Sequence, residues 1–233
     1  MSPLNKIKAK FNSDDRRDIW VINKLRNLKK YSKILDAGCG SQRYKKYCTH
    51  LKYYSQDFGK YTNDLKRTIS KSTVGGHHSY EYGKLDYVGD IWDISEKNNT
   101  FDYILCTEVF EHIAYPDRAM KELSRLLKVN GILILTLPST SLRHMDPFYF
   151  YSGFSDRWLE HFCKKFNLKI IELSADGDYY SFLRYELYRT MKSNVLSIPF
   201  LIFSFIFFLF KRPSVESKNT LNNGYFLVAK KIK

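Results

Sequence analysis

The run from Lys33 to Gly40, with the sequence KILDAGCG, constrains the fold more than any other part of the chain. It predicts a short buried strand that ends at a carboxylate and is followed by a glycine-rich turn. Gly38 and Gly40 let the backbone bend sharply and approach a ligand without obstruction from a Cβ atom. A helix after such a turn points free N–H groups at the same place. The pattern indicates the start of a nucleoside-binding α/β domain, although a tight turn without a ligand has the same signature.

Two acidic residues near this turn favour one kind of nucleoside. Asp57 lies 19 residues beyond Gly38, where the second strand of a βαβ unit ends and a carboxylate can accept hydrogen bonds from ribose hydroxyls. A dinucleotide fingerprint would have a third glycine at position 43, but the chain has Arg43 there. Asp36 would repel a pyrophosphate, whereas it could face the ammonium of an amino-acid nucleoside directly or through water. The alternative for Asp57 is a solvated turn aspartate.

Further motifs carry a resemblance to a known family. The chain looks like the class I S-adenosylmethionine-dependent methyltransferases, and its later motifs are similar to their small-molecule branch (methyltransferase type 11), typified by ubiquinone-biosynthesis enzymes. The motifs that carry this similarity are LDAGCG at 35–40, Asp57, Asp90-Ile91, FDYILC at 101–106, EVFEHI at 108–113, LLKVNG at 126–131 and LTLP at 135–138. The segment HMDPFYFY at 144–151 and the late hydrophobic stretch resemble methyltransferases encoded with bacterial surface-polysaccharide genes.

The resemblance implies a fold and a cofactor. The expected fold is α/β and Rossmann-like, with a seven-stranded, mostly parallel sheet, an antiparallel last strand and helices on both faces. The expected cofactor is S-adenosylmethionine. The residues expected to hold it are Asp36, Gly38 and Gly40 at the methionine end, Asp57 at the ribose, Asp90 with Ile91 at the adenine, and Cys106 at the end of the fourth strand. Asp90 could equally cap a loop.

Methyl transfer requires the nucleophile, the methyl carbon and the sulfur in line, together with a group that removes the nucleophile's proton. His144 is the first candidate for this general base and His112 the second, because imidazole titrates near neutral pH. Asp146 could orient His144. Glu108, Glu111, His112 and His144 could together hold a divalent metal ion, as in some methyltransferases with a similar Glu-x-x-Glu-His motif. The alternative is that Glu111 and His112 line the pocket and cap a helix without a metal.

The acceptor side is less defined. The segment 148–151 supplies four aromatic side chains, which could form a wall for a sugar or pack in the core. Residues 59–84 show no clear period and are expected to form a flexible insertion that contacts the substrate. Its His77 and His78 are expected to be exposed to solvent rather than catalytic.

Composition limits the class of protein. A chain of 233 residues with 44% hydrophobic content can bury the core of one α/β domain without disulfides. The four cysteines are dispersed, so we expect them to be reduced and the protein to be cytoplasmic. The net charge of +14 indicates a polyanionic partner, either nucleic acid or an anionic membrane surface. Alternatively, the charge reflects a proteome that is rich in lysine, without any such partner.

Periodicity divides the chain into two regions. Residues 1–31 are expected to form a basic arm and a helix over 14–31 that caps the cofactor pocket, and residues 32–233 the methyltransferase domain. Strands are predicted near 33–36, 52–56, 86–89, 101–106, 131–137, 168–173 and 225–231, and helices over 116–128, 155–166 and 179–192.

The apolar run 195–210 requires separate treatment. Its 16 residues would make a helix of about 24 Å, which is shorter than a hydrocarbon core of about 30 Å, and Pro199 interrupts it. A single crossing would also leave the last strand on the wrong side of the membrane. We therefore expect an interfacial or re-entrant helix, or one packed on protein.

The leading hypothesis is an O-methyltransferase that acts on a saccharide or another small hydroxylated acceptor. This acceptor could be lipid-linked, and the enzyme would then work at the inner face of the membrane. The expected partners are this acceptor and an anionic membrane surface, with nucleic acid less favoured. Three alternatives stay open, namely a nicotinamide-dependent oxidoreductase, an RNA 2′-hydroxyl methyltransferase and a non-catalytic binder of membrane or RNA.

Overall fold

A computed structural model describes residues 13–61 and 81–233. All but the last residue of the predicted basic arm at 1–13 lies outside these described residues, as do residues 62–80 of the predicted insertion at 59–84, with His77 and His78. The seven strands form one sheet in the order β3-β2-β1-β4-β5-β7-β6. Their bounds are β1 Lys33–Ala37, β2 Lys52–Asp57, β3 Tyr87–Val88, β4 Phe101–Thr107, β5 Leu127–Pro138, β6 Leu168–Ala175 and β7 Gly224–Lys231.

The strand directions confirm the predicted fold class. Pairing is parallel from β3 through β2, β1 and β4 to β5, whereas β7 runs antiparallel to both β5 and β6. Because β5 and β6 are both antiparallel to β7, they are parallel to each other. The carboxyl ends of β1, β2, β4, β5 and β6 therefore lie along one edge of the sheet, which we call the carboxyl edge.

Six α-helices lie in the described residues, and their starts have local causes. The helices are α1 Ser13–Arg26, α2 Pro116–Leu126, α3 Asp156–Lys165, α4 Tyr179–Ser193, α5 Ile198–Leu209 and α6 Val215–Thr220. Helix α2 begins with proline. Proline has no backbone N–H, and the N–H groups of the first turn have no partner within the helix, so no hydrogen bond is lost. Helix α3 is capped by Ser155, whose side chain accepts from the N–H of Trp158, and α4 by a reciprocal pair of hydrogen bonds between Asp178 and Ser181.

Apolar side chains alternate along the central strands and form a core on each face of the sheet. Leu35, Ile104 and Leu133 face the larger core, which packs under α2 and α3, and Ile34 and Leu105 face the smaller one, which packs under α1. This alternation is what a sheet covered by helices on both faces requires.

One strand begins earlier than the pattern predicted. The sequence predicts a helix over 116–128 that is ended by Asn130 and Gly131, but the helix ends at Leu126 and β5 starts at Leu127. Leu127 pairs with Phe101, and the register then shifts before Tyr103 pairs with Ile132. Asn130 absorbs the shift with φ +68°. The residues that we interpreted as a helix terminus therefore form a bulged strand entry.

Helix α1 forms as predicted but ends at Arg26, and it crosses towards the late strands. Trp20 stacks on Phe226 of β7 with ring centroids 5.0 Å apart, and its indole N–H donates to Glu172 of β6 at 2.8 Å. Arg16 donates to Asp176, just beyond β6. These contacts hold α1 against one face of the sheet beside the carboxyl edge.

The apolar run 195–210 forms a short 3-10 turn and α5. Helix α5 packs along α4, where Phe208 stacks on Tyr180 at 6.0 Å and its carbonyl accepts from Arg184 at 2.7 Å. None of the helices in the described ranges combines the length and apolar character needed to cross a membrane.

Candidate active site

The glycine turn after β1 lies at the carboxyl edge and is fixed to the end of β2. Gly38 and Gly40 have φ +71° and +50°, a backbone conformation that favours glycine. A Cβ on Gly38 would lie 2.4 Å from Cγ2 of Val109, so a side chain cannot fit without movement. The N–H groups of Gly38 and Cys39 donate to the carbonyl of Gln56 at 2.9 and 3.0 Å. The turn therefore presents bare backbone at the carboxyl edge.

Asp57, the predicted ribose ligand, lies at the rim of this turn. One carboxylate oxygen accepts from the N–H of Gly40 at 2.9 Å, and the other accepts from the N–H of Gly59 at 3.1 Å. Burial raises the pKa of Asp57, while these backbone donors lower it. Hydrogen bonds from the backbone of Phe58 and from the side chain of Tyr82 also lower the pKa of Asp57. The carboxylate therefore lies among hydrogen-bond donors, and a ribose hydroxyl would join or replace one of them.

Asp36 is buried on the α1 face of the sheet and accepts from the hydroxyl of Tyr53 at 2.6 Å. Burial raises the pKa of Asp36 to about 7, the Tyr53 hydrogen bond lowers it, and the charge of Asp57 raises it. Both carboxylates also act on Cys39, since burial and then the charges of Asp36 and Asp57 raise the pKa of its thiol. The two acids therefore lie in one electrostatic environment around the turn.

The predicted adenine segment lies next to this group. The amide of Gln56 donates to the carbonyl of Gly89 at 2.7 Å, and the N–H of Gly89 donates to the carbonyl of Asp57 at 3.1 Å. Asp90 is exposed, whereas Ile91 is buried in the larger core. Gln56 thus joins the glycine turn to the segment that follows β3, and the carboxylate of Asp90 is open to a ligand.

The groups at this edge suit a cationic nucleoside. A buried acid whose pKa lies near 7 is stabilised in its ionised form by a positive ligand group, and the bare turn leaves room for close approach. The ammonium of S-adenosylmethionine has the charge that Asp36 needs. Cys106 differs from the other predicted ligands, because its thiol is fully buried in the larger core. A contact between Cys106 and a cofactor would have to come from its backbone.

Two histidines meet just beyond β4. The rings of His112 and His144 lie edge to face, with centroids 4.6 Å apart. Nδ1 of His112 lies 2.7 Å from the carbonyl of Phe148, and Nδ1 of His144 lies 2.7 Å from the carbonyl of Leu142. Because a carbonyl oxygen only accepts, each Nδ1 carries a proton, and each neutral ring keeps a lone pair on Nε2. Burial lowers the pKa of both rings, which favours this neutral form.

Two glutamates accompany the histidines. Glu111 is 1% exposed, and its Oε2 has no hydrogen-bond partner. Its other oxygen lies 3.6 Å from Nε2 of His112. Glu108 instead accepts from the hydroxyl of Thr136 at 2.9 Å and lies 3.3 Å from a guanidinium nitrogen of Arg17. Burial raises the pKa of each glutamate to about 7.

The structure brings together three of the four predicted metal ligands. One possible ligand atom each from Glu111, His112 and His144 lies within 4.8 Å of the others. Glu108 is not part of this cluster, because its carboxylate is directed to Arg17 and Thr136. The residues present could hold a divalent ion with two nitrogens and one oxygen, and the unpartnered oxygen of Glu111 fits that chemistry.

The prediction that Asp146 orients His144 needs correction. The carboxylate of Asp146 accepts from Nε of Arg143, with both oxygens at 2.9 Å. The carbonyl of Leu142 holds the imidazole in its place. Leu142 and Asp146 are each two residues from His144, and the sequence does not indicate that a main-chain carbonyl is the partner.

The aromatic segment after His144 divides as the two interpretations suggested. Phe148 packs edge-on against Phe58 with centroids 4.8 Å apart. The hydroxyls of Tyr149 and Tyr151 donate to main-chain carbonyls at 2.6 and 3.2 Å. Phe150 and Tyr151 are 50% and 37% exposed. Phe148 is therefore packing, the ring of Tyr149 lies beside that of His144 with centroids 5.5 Å apart, and Phe150 and Tyr151 offer accessible rings.

Three residues of the site were not singled out from the sequence. Arg17 comes from α1, far away in the chain, and reaches Glu108. Tyr53 and Gln56 lie on β2 and hold Asp36 and the glycine turn. Ile34 pairs with Tyr53, and Ile34 and Asp36 share one face of β1 because they are two residues apart. Tyr53 therefore lies on the face of Asp36, and the pairing of β1 with β2 would have indicated this contact. Nothing in the pattern indicated Arg17.

Comparison with known proteins supports the interpretation of the fold. Two family profiles, both described as methyltransferase domains, match residues 35–135 and 86–189. An uncharacterized protein of Methanocaldococcus jannaschii is 26% identical over 213 residues, which are 91% of this chain and 83% of that protein.

Solved structures share the architecture at low identity. The (4+2)-cyclase SpnF has a TM-score of 0.56 and 17% identity over 93% of this chain and 80% of its own. A protein of Bacillus halodurans, provisionally described as a methyltransferase, has a TM-score of 0.55 and 17% identity over 93% of this chain and 100% of its own. Phosphoethanolamine N-methyltransferase 2 of Haemonchus contortus, solved with S-adenosyl-L-methionine, has a TM-score of 0.54 and 16% identity over 94% of this chain and 53% of its own.

At such identities the likeness concerns the fold alone, and one of these neighbours is named as a cyclase. The two profiles are the sequence likeness to methyltransferase domains, and they match residues 35–135 and 86–189. The chain is therefore similar to methyltransferase domains in these two overlapping stretches and shares its fold with the solved structures named above.

Proposed function

We propose that this protein transfers a methyl group from S-adenosylmethionine to a hydroxyl group of a saccharide or another small hydroxylated acceptor. The observation that carries the proposal is the histidine pair. Two neutral imidazoles, each with its proton fixed on Nδ1, present Nε2 lone pairs at the same edge as the glycine turn. A hydroxyl must lose its proton during transfer, and this arrangement supplies the acceptor for it.

The cofactor-holding residues divide the work. S-adenosylmethionine supplies an electrophilic methyl carbon on a positively charged sulfur when it is bound. Asp57 would accept from the ribose hydroxyls, Asp36 would balance the ammonium, and Asp90 would accept from the adenine amino group. The bare turn at Gly38 would let the backbone lie against the methionine portion.

His144 is the proposed general base. Its Nε2 would accept the proton of the acceptor hydroxyl, while the carbonyl of Leu142 stabilises the imidazolium that forms. Because burial lowers the pKa of His144, the ring is neutral at pH 7 and ready to accept. His112 is the second candidate for the same role, with the carbonyl of Phe148 behind it.

A divalent ion is an alternative use of the same groups. Glu111 has a buried oxygen without a partner, and this observation favours an ion or a second proton donor at that point. An ion held by Glu111, His112 and His144 would orient the acceptor hydroxyl. In that case chelation abolishes turnover and an added divalent cation restores it, whereas a metal-free base is insensitive to chelation.

The accessible rings of Phe150 and Tyr151 support a sugar acceptor, since pyranose faces pack well on aromatic rings. An RNA acceptor is the competing possibility that the net charge of +14 keeps open. A screen of hydroxylated acceptors should therefore include nucleoside and RNA substrates.

Calorimetry and mass spectrometry test the proposal in sequence. S-adenosylhomocysteine should bind to the wild type and fail to bind to Asp57→Ala. With the acceptor present in extracts of surface glycans, the wild type should add the mass of one methyl group. His144→Gln should abolish this addition while keeping cofactor binding. The control is His161→Gln, because His161 is an exposed histidine on α3.

Absence of cofactor binding, or binding unchanged in Asp57→Ala, would refute the assignment. Cofactor binding without turnover on any acceptor would indicate a non-catalytic binder. Turnover that survives in both His144→Gln and His112→Gln would remove the histidine pair from the reaction.

A further inference from the structure

Helix α5 carries an apolar stripe that protein does not cover within the described part of the chain. Its members recur three or four residues apart, on one side of the helix and the turn before it. They are Leu196, Phe200, Phe203, Phe207 and Phe210, and their exposed fractions are 78%, 81%, 77%, 50% and 81%. We call these five residues the phenylalanine stripe. A large exposed apolar patch on a folded protein marks a surface that binds something.

The opposite side of α5 is already used. Phe208 stacks on Tyr180, and the carbonyl of Phe208 accepts from Arg184. The N-terminal turn is held as well, since the side chain of Asn194 accepts from the N–H of Leu196 at 3.1 Å. These contacts fix the opposite side of α5 on α4. The phenylalanine stripe therefore faces away from α4.

Helices α4 and α5 belong to a connection that starts and ends at the carboxyl edge of the sheet. Helices α4 to α6 form the connection between the end of β6 and the start of β7. Because β7 is antiparallel to β6, both of those points lie at the carboxyl edge. The stripe thus lies on the same side of the molecule as the histidine pair.

Basic residues follow the stripe directly. Lys211 extends over the ring of Phe207, with Nζ 4.7 Å from the centroid, and also approaches Tyr180 at 5.8 Å. Arg212 is exposed beside it. A cation whose stem lies on aromatic rings at the end of an apolar helix is the arrangement found where a protein meets lipid headgroups. A second copy packed stripe to stripe offers no anionic group to these two cations in its own stripe, whereas anionic headgroups would pair with them.

The length of the helix defines how it would meet lipid. Twelve residues of α5 span about 18 Å, which is well below the roughly 30 Å of a hydrocarbon core. A helix of this length can lie along the interface with its stripe immersed, and lysine and arginine can remain at the headgroups.

We propose that the phenylalanine stripe docks the protein on an anionic lipid bilayer, so that the histidine pair faces an acceptor held at the membrane surface. The inference rests on the proposed function and narrows its substrate class to an amphiphilic, lipid-linked hydroxyl compound. Aromatic side chains would supply the apolar contact, and Lys211 with Arg212 would supply the preference for anionic headgroups.

Vesicle sedimentation of the full chain tests the proposal. Vesicles of phosphatidylglycerol with phosphatidylcholine should bind the wild type, and vesicles of phosphatidylcholine alone should bind it more weakly. The variant Phe200→Glu/Phe203→Glu should lose binding by about tenfold or more, since it removes two immersed rings and adds repulsion. The variant Lys211→Gln/Arg212→Gln should lose the preference for anionic vesicles and keep the weaker binding.

A matched control carries the same change in charge at another place. Tyr31 and Val129 are 79% and 50% exposed and lie at the opposite, amino-end edge of the sheet. Tyr31→Glu/Val129→Glu should bind vesicles as well as the wild type apart from a small effect of charge. Calorimetry with S-adenosylhomocysteine accompanies each variant, and all of them should bind it.

Three results would overturn the docking proposal. The first is that the wild type fails to sediment with anionic vesicles, and the second is that the stripe variant sediments as well as the control. The third is that the wild type is a dimer and the stripe variant a monomer, in which case a second copy covers the stripe. Because cofactor binding is measured separately, each of these results leaves the proposed methyl transfer intact. Loss of cofactor binding in the wild type would instead refute the proposed function.

Discussion

Replacement of Gly38 by alanine gives a sharp test of the glycine turn, because two separate penalties meet there. The new Cβ would lie 2.4 and 2.8 Å from the two methyl carbons of Val109 and 3.2 Å from its Cβ. Carbon atoms in contact normally lie about 3.5–4.0 Å apart, so Val109 must retreat by about 1 Å. Overpacking of this kind costs about 1–3 kcal/mol. The left-handed backbone at φ +71° adds about 1–2 kcal/mol for a residue with a Cβ.

A double-mutant cycle separates the two penalties. Val109→Ala alone should lower the free energy of unfolding by about 1–2 kcal/mol, because it removes two half-buried methyl groups. It also leaves only the 3.2 Å contact with the Cβ of residue 109. Alanine at 38 should therefore cost about 1–2 kcal/mol in that background, against about 2–5 kcal/mol in the wild type. Urea unfolding of the four proteins gives the coupling energy.

Cofactor binding provides the second readout of the cycle. Calorimetry with S-adenosylhomocysteine should show weaker binding for Gly38→Ala in both backgrounds, since the added Cβ obstructs the approach of a ligand whether or not Val109 is trimmed. Val109→Ala should therefore reduce the loss of stability caused by Gly38→Ala, but it should not restore cofactor binding. Additive losses of stability, within about 0.5 kcal/mol, would refute the packing argument. Full binding in the double variant would refute the role of the bare turn.

Three further outcomes follow from buried groups. Tyr53→Phe removes the donor to Asp36 and should cost about 1–3 kcal/mol at pH 8 and less at pH 5, where the carboxyl is protonated in the folded state; equal losses at both pH values would contradict this. Burial raises the pKa of Asp36, Glu108 and Glu111 to about 7 in the folded state, so the stability that these groups contribute is complete below about pH 4 and is lost as pH rises through 7. Glu111→Gln should flatten that decline in urea midpoints between pH 5 and pH 8, and an unchanged slope would refute it. The four cysteines are free and buried, and burial raises the pKa of each thiol; thiol titration should therefore find four reactive groups in denatured protein and slow reaction in the native state.

Local patterns were sufficient where the physics is local. The strand before Gly38, the proline start of α2 and the strand at 101–106 depend on neighbours within a few residues, and the structure confirms those elements. The boundary at Leu127 was wrong because pairing with Phe101, 26 positions earlier, extends residues that otherwise read as a helix end. Propensity yields to strand pairing at such a point.

The site was predictable only in part, and the reason is similar. Asp36 and Asp57 follow strands, so their positions at the carboxyl edge follow from the order of the elements. The partners of the histidines are main-chain carbonyls of Leu142 and Phe148, and a sequence contains no signal for a particular carbonyl. The contact of Arg17 with Glu108 joins α1 to the residue after β4 across most of the first half of the chain, and only the tertiary structure reveals it.

The position of β7 inside the sheet has a consequence for biosynthesis. Leu133 of β5 pairs with Ala229, and Ile170 of β6 pairs with the same residue from the other side. Until residues 224–231 have left the ribosome, a nascent chain carries two long strands with unpaired N–H and C=O groups, and such edges invite pairing with other chains. We expect ribosome-bound intermediates of this protein to depend on chaperones until that segment emerges, and a truncation before Gly224 to aggregate rather than to yield a smaller folded enzyme.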